Sequence, residues 1–271
     1  MRLLFVGDVM GKAGREAVER HLPALRRDLK CDLVVVNGEN AAHGAGITEK
    51  ICQQLLEAGA DVITGGNHSW DQREALSFIE REPRLLRPGN FPAGTPGRGF
   101  GIFEGRRGTR VLVGNLMGRL FMDPLDDPFA LIDRELAKHR LGHTVNAAIV
   151  DFHGEATSEK MAMGHHLDGR VSLVVGTHTH VPTADLMILD GGTAYLSDAG
   201  MTGDYNSVIG MEKAAPIARF TKKLPTDRLG PAGGEATLCG VYLETDPQTG
   251  KATRAEPVRV GGRLAPAMPQ V

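Results

Sequence analysis

The sequence predicts an α/β fold in which two packed β-sheets are flanked by helices. Three observations lead there. Through residue 82, short β-rich apolar runs alternate with segments of helical period, which implies strands covered on both faces. From residue 99 the pattern turns to alternation and Gly-rich turns, which implies antiparallel pairing beside the parallel strands. No internal repeat and no linker interrupts the 271 residues, so residues 1–271 are expected to form one domain.

Each element follows from local pattern. "RLLFVG" is a first strand, and Arg15 to Leu29 an amphipathic helix with Ala17, Val18, Leu22 and Leu25 as its apolar stripe. "DLVVVN" is the second strand. Thr48 can cap a helix running to Leu56, with Glu49 in its first turn. "DVITGGN" is the third strand, followed by an expected helix from Asp71 to Glu82 in which Asp71 serves as a first-turn carboxylate. "GFGIFEGRRGTRVLVGNLMG" reads as a hairpin turning near Arg106 to Gly108. A helix over Pro128 to Lys138 leads to the buried strand in "NAAIVDFHGE". A short helix in "SEKMAMGHHL" precedes the strand "RVSLVVG", and "LMILDGGTAYLSD" is strand–turn–strand. Most of Met201 to Gly234 carries no assignable pattern. "ATLCGVYLETDPQTGKATRAEPVRV" closes the chain as a hairpin turning at Pro247 to Gly250.

Composition narrows the function classes. The net charge of −2 argues against a stable complex with nucleic acid and against an anionic membrane surface. Cys31, Cys52 and Cys239 are odd in number and widely spaced, as expected of reduced core thiols in a cytoplasmic protein. The N-terminal apolar run is too short for a signal-peptide core or a membrane span.

Polar clusters stand just beyond five of the expected strands: "GDVMG", "NGEN", "GNHSWD", "FHGE" and "GTHTH". Ligands of α/β sheets collect at that edge. A lone "GD" or "NG" is ordinarily a turn, and a lone His153 a hydrogen-bonded core histidine. Five strands delivering Asp8, Glu39, Asn40, Asn67, His68, His153, His178 and His180 to one rim exceed what turn chemistry requires. His178 and His180 are expected to converge because alternate residues of a strand share a face. Carboxylate and amide oxygens with imidazole nitrogens suit iron, manganese or zinc, and the lack of thiolates argues against a structural Cys-type zinc site. Two such ions about 3.5–4 Å apart would polarise a phosphoryl group and make hydroxide from water.

In this order the blocks resemble those of the calcineurin-like metallophosphoesterases: DxH, GDxxD, GNH[DE], H and GHxH. Two departures stand out, Met10 at the place of a histidine ligand and Glu39 at the place of the bridging aspartate. With "AAHGAGIT", "GTHTHVPTAD" and "SVIGM", the chain resembles the bacterial 2′,3′-cyclic-nucleotide 2′-phosphodiesterase subfamily. The resemblance implies a four-layer sandwich of two mixed sheets and a phosphodiesterase acting on a small nucleotide through a metal-activated hydroxide. It implies Asp8, Glu39, Asn40 and His180 at a first metal, with the Asn40 amide oxygen filling the gap left by Met10. Glu39, Asn67, His153 and His178 would hold a second, with Glu39 bridging and iron the favoured metal. His68 would be the proton donor to the leaving oxygen.

Other histidines carry blander readings. His165 and His166 are expected on a solvated helix face, and His21, His139 and His143 at the surface. His43 could line the pocket, and Arg119, Lys222 and Lys223 could bind phosphate, with nothing to select among them. An amidohydrolase would also place HxH after a strand, but on the first strand of a barrel. An SGNH-type esterase would need a serine after "GD", where Val9 stands. A non-enzymatic metal-binding or signalling module is the remaining class. Self-association into a homo-oligomer is compatible with the sequence.

Overall fold

A computed structural model describes residues 1–223 and 228–270. The chain runs β1 (Arg2–Val6), α1 (Gly11–Asp28), β2 (Leu33–Asn37), α2 (Glu49–Glu57), β3 (Val62–Thr64), α3 (Ala75–Phe78) and β4 (Leu85–Leu86). It continues with β5 (Phe100–Glu104), β6 (Arg110–Met117), α4 (Pro128–Lys138), β7 (Ala147–His153), α5 (Thr157–His166) and β8 (Leu173–Thr177). Last come β9 (Met187–Ile188), β10 (Ala194–Leu196), α6 (Ala214–Lys222), β11 (Leu238–Thr245) and β12 (Ala252–Val260).

Among the described residues the strands form two six-stranded mixed sheets, ordered β12-β11-β1-β2-β3-β4 and β5-β6-β7-β8-β10-β9. In the first, β1 to β4 run parallel and β11 pairs antiparallel to β1; in the second, β6, β7, β8 and β10 run parallel, with antiparallel edges. These are open sheets, so the barrel that the amidohydrolase alternative requires is absent among the described residues.

Side-chain alternation along each strand builds the layers. On β1, Leu3 and Phe5 join Leu33, Val35, Val113, Ile149 and Val175 in an apolar layer shared by both sheets. Leu4 and Val6 face the other way, onto Val18, Leu22 and Leu25 of α1 and Leu55 of α2. On the far side, Val150, Phe152 and Val174 pack with Ile132 of α4 and Met163 of α5. The stacking is helix, sheet, sheet, helix. Capping follows local chemistry: the Thr48 side chain accepts from Ile51 N at 3.2 Å, and the Asp127 carboxylate accepts from Phe129 N at 2.9 Å.

Two expected helices change length. α1 starts at Gly11 rather than Arg15, since its first turn contains the small buried residues Gly11, Ala13 and Gly14, which carry no apolar period. The expected helix from Asp71 to Glu82 shrinks to Ala75–Phe78 between turns, because Asp71 bonds a neighbouring side chain instead of opening a helix. The unassigned stretch contains α6, and its residues 224–227 lie outside the described residues. No described helix is long and apolar enough to cross a membrane.

Candidate metal centre

The parallel strands of both sheets end at a common edge, and the polar clusters meet there. Asp8 follows β1, Glu39 and Asn40 follow β2, and Asn67 and His68 follow β3. His153 ends β7, while His178 and His180 follow β8. One sheet supplies the carboxylates and amides, the other the three buried or half-buried imidazoles. Gly66 permits the approach: a Cβ there would collide with Glu39 Oε2 and lie 2.5 Å from His153 Nε2.

His153 reveals what the cluster demands. Thr177 gives its one hydroxyl proton to Asp151 at 2.7 Å, so its oxygen accepts from His153 Nδ1 at 2.9 Å. His153 Nε2 therefore points an unshared lone pair into the centre. Asn67 Oδ1 stands 2.8 Å from it, His178 Nδ1 3.1 Å and Glu39 Oε1 3.2 Å. Four acceptors facing one another need a positive charge between them. Burial would lower His153, yet Glu39, Asp8 and Asp151 hold it up at about 9. Burial would raise Glu39, but His153, with His68 and His178 nearby, brings it down to about 2. A proton or a metal ion on Nε2 answers the same demand.

Asp8 makes the case a second time. Burial pushes its carboxyl well above the usual range. Oδ2 accepts from His178 N at 3.2 Å, but Oδ1 is buried with no hydrogen-bond partner. Ligand atoms of Asp8, Glu39 and His180 lie within 4.8 Å of one another, as do those of Glu39, His153 and His178. Glu39 is common to both groups. The donor set thus fits two hard or borderline cations sharing one carboxylate.

Each imidazole has its other nitrogen tied elsewhere, which fixes the face it presents. His153 Nδ1 is held through Thr177 by Asp151, which also accepts from Asn37 Nδ2 at 2.9 Å and Thr64 Oγ1 at 2.6 Å. His178 Nε2 stands 3.2 Å from Glu155 Oε2. His180 Nδ1 donates to the Ile209 carbonyl at 2.7 Å. Burial lowers both loop histidines, with His153 adding to the effect; His178 falls to about 3. Both rings therefore keep lone pairs at neutral pH.

The convergence of His178 and His180 has a different origin from the one expected. β8 ends at Thr177, and both residues take left-handed backbone, φ 98° and 66°. Thr179 between them is pinned by Asp198 through its amide at 3.0 Å and its hydroxyl at 2.7 Å. Asn40 also differs in detail. Its Nδ2, rather than its oxygen, faces Glu39 Oε1 and His180 Nε2, each at 3.0 Å. Turning the amide by 180° brings Oδ1 to the same spot without changing the side chain's outline.

His68 stands beside the cluster, its amide 3.3 Å from Glu39 Oε2 and its Nδ1 2.8 Å from Asp71 Oδ2. Asp71 thus holds a ring rather than opening a helix. Among the other expected positions, His43, His143, His165 and His166 are exposed, and His21 and His139 are half-buried. Lys222 and Lys223 are exposed at the end of α6. Arg119 lies 3.8 Å from Asp127. Asp151, Thr177, Glu155, Asp198 and Ile209 were given no role in the sequence reading, although Glu155 stands inside "FHGE", Thr177 inside "GTHTH" and Ile209 inside "SVIGM".

The chain matches known proteins over nearly its whole length. The family model described as YmdB-like protein matches residues 4–258. A Bacillus subtilis (strain 168) protein named 2′,3′-cyclic-nucleotide 2′-phosphodiesterase is 48% identical, covering 96% of this chain and 97% of that one. A crystal structure of a hypothetical protein from Thermus thermophilus superposes with a TM-score of 0.90 at 44% identity, covering 97% of this chain and 100% of that one. A structure described as a novel phosphatase, from Mycoplasma pneumoniae, gives 0.89 at 36% identity, covering 96% and 93%.

Proposed function

The chain belongs to the YmdB-like protein family, and from that premise we propose that it is a two-metal phosphodiesterase acting on 2′,3′-cyclic nucleotides. The observation that carries the metal reading is the set of acceptors around His153 Nε2, with the orphaned Asp8 Oδ1 beside it.

Asp8, Glu39, Asn40 and His180 hold the first ion in this reading; Glu39, Asn67, His153 and His178 hold the second. When bound, the ions supply Lewis-acid polarisation of the phosphoryl group and activation of water. Iron, manganese and zinc all suit this donor set, and the family resemblance favours iron. The residues do the rest. Asp151 through Thr177, Glu155 and the Ile209 carbonyl keep the three imidazoles aimed inward. His68 Nδ1 is engaged by Asp71, so Nε2 is the atom that delivers a proton to the departing ribose oxygen. The shared apolar layer and the joint centre support the reading of residues 1–271 as one domain. Three free, buried cysteines suit the cytoplasm.

Metal analysis and turnover on one preparation test this. Two ions per chain, with hydrolysis of a 2′,3′-cyclic nucleotide lost on chelation and restored by metal, are expected. Turnover that survives complete metal removal overturns the reading. A fully loaded chain inert toward every phosphodiester would instead be a metal-binding module.

A further inference from the structure

Immediately after β6 the chain makes a short loop, Gly118 to Met122, that the chemistry above does not use. Phe121 sits at its tip with 88% of its surface exposed, and Leu120 beside it is half exposed. Single exposed apolar side chains are ordinary, but here a nearly naked phenyl ring and a half-exposed leucine stand together at one loop tip. The backbone of Phe121 is also unusual, with φ 62°, a region that bulky residues avoid. Such strain persists where the surrounding structure over-determines it.

The surroundings do so here. Gly118 N donates to the His153 carbonyl at 2.8 Å, joining the loop to a residue of the centre. The buried Glu159 carboxylate accepts from Arg119 N at 3.0 Å and Leu120 N at 3.1 Å. A Cβ on Gly118 would lie 2.7 Å from that carboxylate, so a glycine is needed for the clasp to close. The loop is thus fixed rather than free, and its tip is an apolar ring. Phe121 is three residues from Gly118, at most about 11 Å of chain. The span from a ribose phosphate to the far edge of its base is of that order.

We propose that Phe121 is a specificity-determining residue, the platform on which the nucleobase of the substrate stacks while its phosphate lies at the centre. This rests on the cyclic-nucleotide reading above. Every base has a π-face, so such a platform accepts all four bases and favours the larger purines.

The test compares 2′,3′-cyclic AMP and 2′,3′-cyclic UMP with a base-free ribose 2′,3′-cyclic phosphate. Phe121→Ala should raise KM for cyclic AMP by about 5- to 100-fold, the range of one lost base–aromatic contact, with kcat within about twofold. The rise should be smaller for cyclic UMP and absent for the base-free diester. Phe121→Trp should restore the low KM, and Phe121→Leu should not. An unchanged KM for the nucleotides, or an equal rise on the base-free diester, overturns the proposal. So does a fall in molecular mass by light scattering in Phe121→Ala, which would place the ring between copies of the chain. Wild-type protein that hydrolyses the base-free diester and neither nucleotide would defeat the cyclic-nucleotide reading itself.

Discussion

Lys160 and Asp198 form an ion pair at 2.9 Å in the protein interior, their side chains 3% and 1% exposed, beneath the loop that carries His178 and His180. The same carboxylate binds Thr179 twice and Gly200 N at 2.9 Å. Removing its charge strands an interior ammonium and releases the loop. Asp198→Asn should therefore cost about 3–5 kcal/mol in urea unfolding. Lys160→Met should cost less, since Asp198 keeps its other donors. A loss below about 1 kcal/mol for Asp198→Asn would mean that the loop is held by other contacts.

Met10 is buried and packs against Gly44 and Gly210, which explains its presence without a metal. A thioether is a soft ligand among hard donors. Met10→Leu should keep full metal content, whereas Asn40→Ala should lose ion from the first site. Equal loss in the two variants, measured by elemental analysis, would exchange their roles.

The pairing of His68 with Asp71 predicts a dependence on the leaving group. A ribose oxygen must gain a proton as its bond breaks, while p-nitrophenolate departs readily without one. His68→Ala should keep its metals yet slow hydrolysis of a 2′,3′-cyclic nucleotide by about 10²–10⁴-fold. The loss on an aryl phosphodiester should be distinctly smaller. Asp71→Asn should follow the same pattern more mildly. Equal losses on both substrates would assign His68 to charge stabilisation instead.

Burial pushes the Cys31 and Cys52 thiols up to about 12 and Cys239 up to about 11. The thiolate is the reactive form, and it appears only as pH rises through those values. At about pH 8 none of the three should react with a disulfide reagent until denaturant is added. A stoichiometric reaction of the native protein would show an open path to one of them.

Much of the centre was legible because its side chains lie within three residues of strand ends, where local pattern is strongest. Asp8, Glu39, Asn67 and His153 are of this kind. Their supports were not, because those bonds join distant segments. Asp151 meets Thr64 across 87 residues and Asn37 across 114. Inside "AAIVDFH" such an aspartate shows no partner. Strand periodicity also misled over His178 and His180, whose alignment depends on left-handed backbone that no apolar pattern records. The shortened third helix has a similar cause: "DQREALSFIE" has helical composition, but Asp71 is drawn to His68. The hairpins and α4 came out as expected, since Gly turns and an Asp-Pro cap announce themselves locally.

The division of the centre between the sheets has a consequence for how the molecule ages and survives. Asp8, Glu39, Asn40 and Asn67 belong to one half, His153, His178 and His180 to the other. A cation seated among them, as proposed, would rivet the halves together at their open edge. Its binding energy would become cohesion of the whole fold, growing as RT ln(1 + [L]/Kd), or about 2.7 kcal/mol at a hundredfold excess over Kd. Heat resistance would then gauge ion supply. In a metal-starved cell the chain would breathe along this seam, offering proteases their first grip where Glu39 and Asn67 of one half face His153 and His178 of the other.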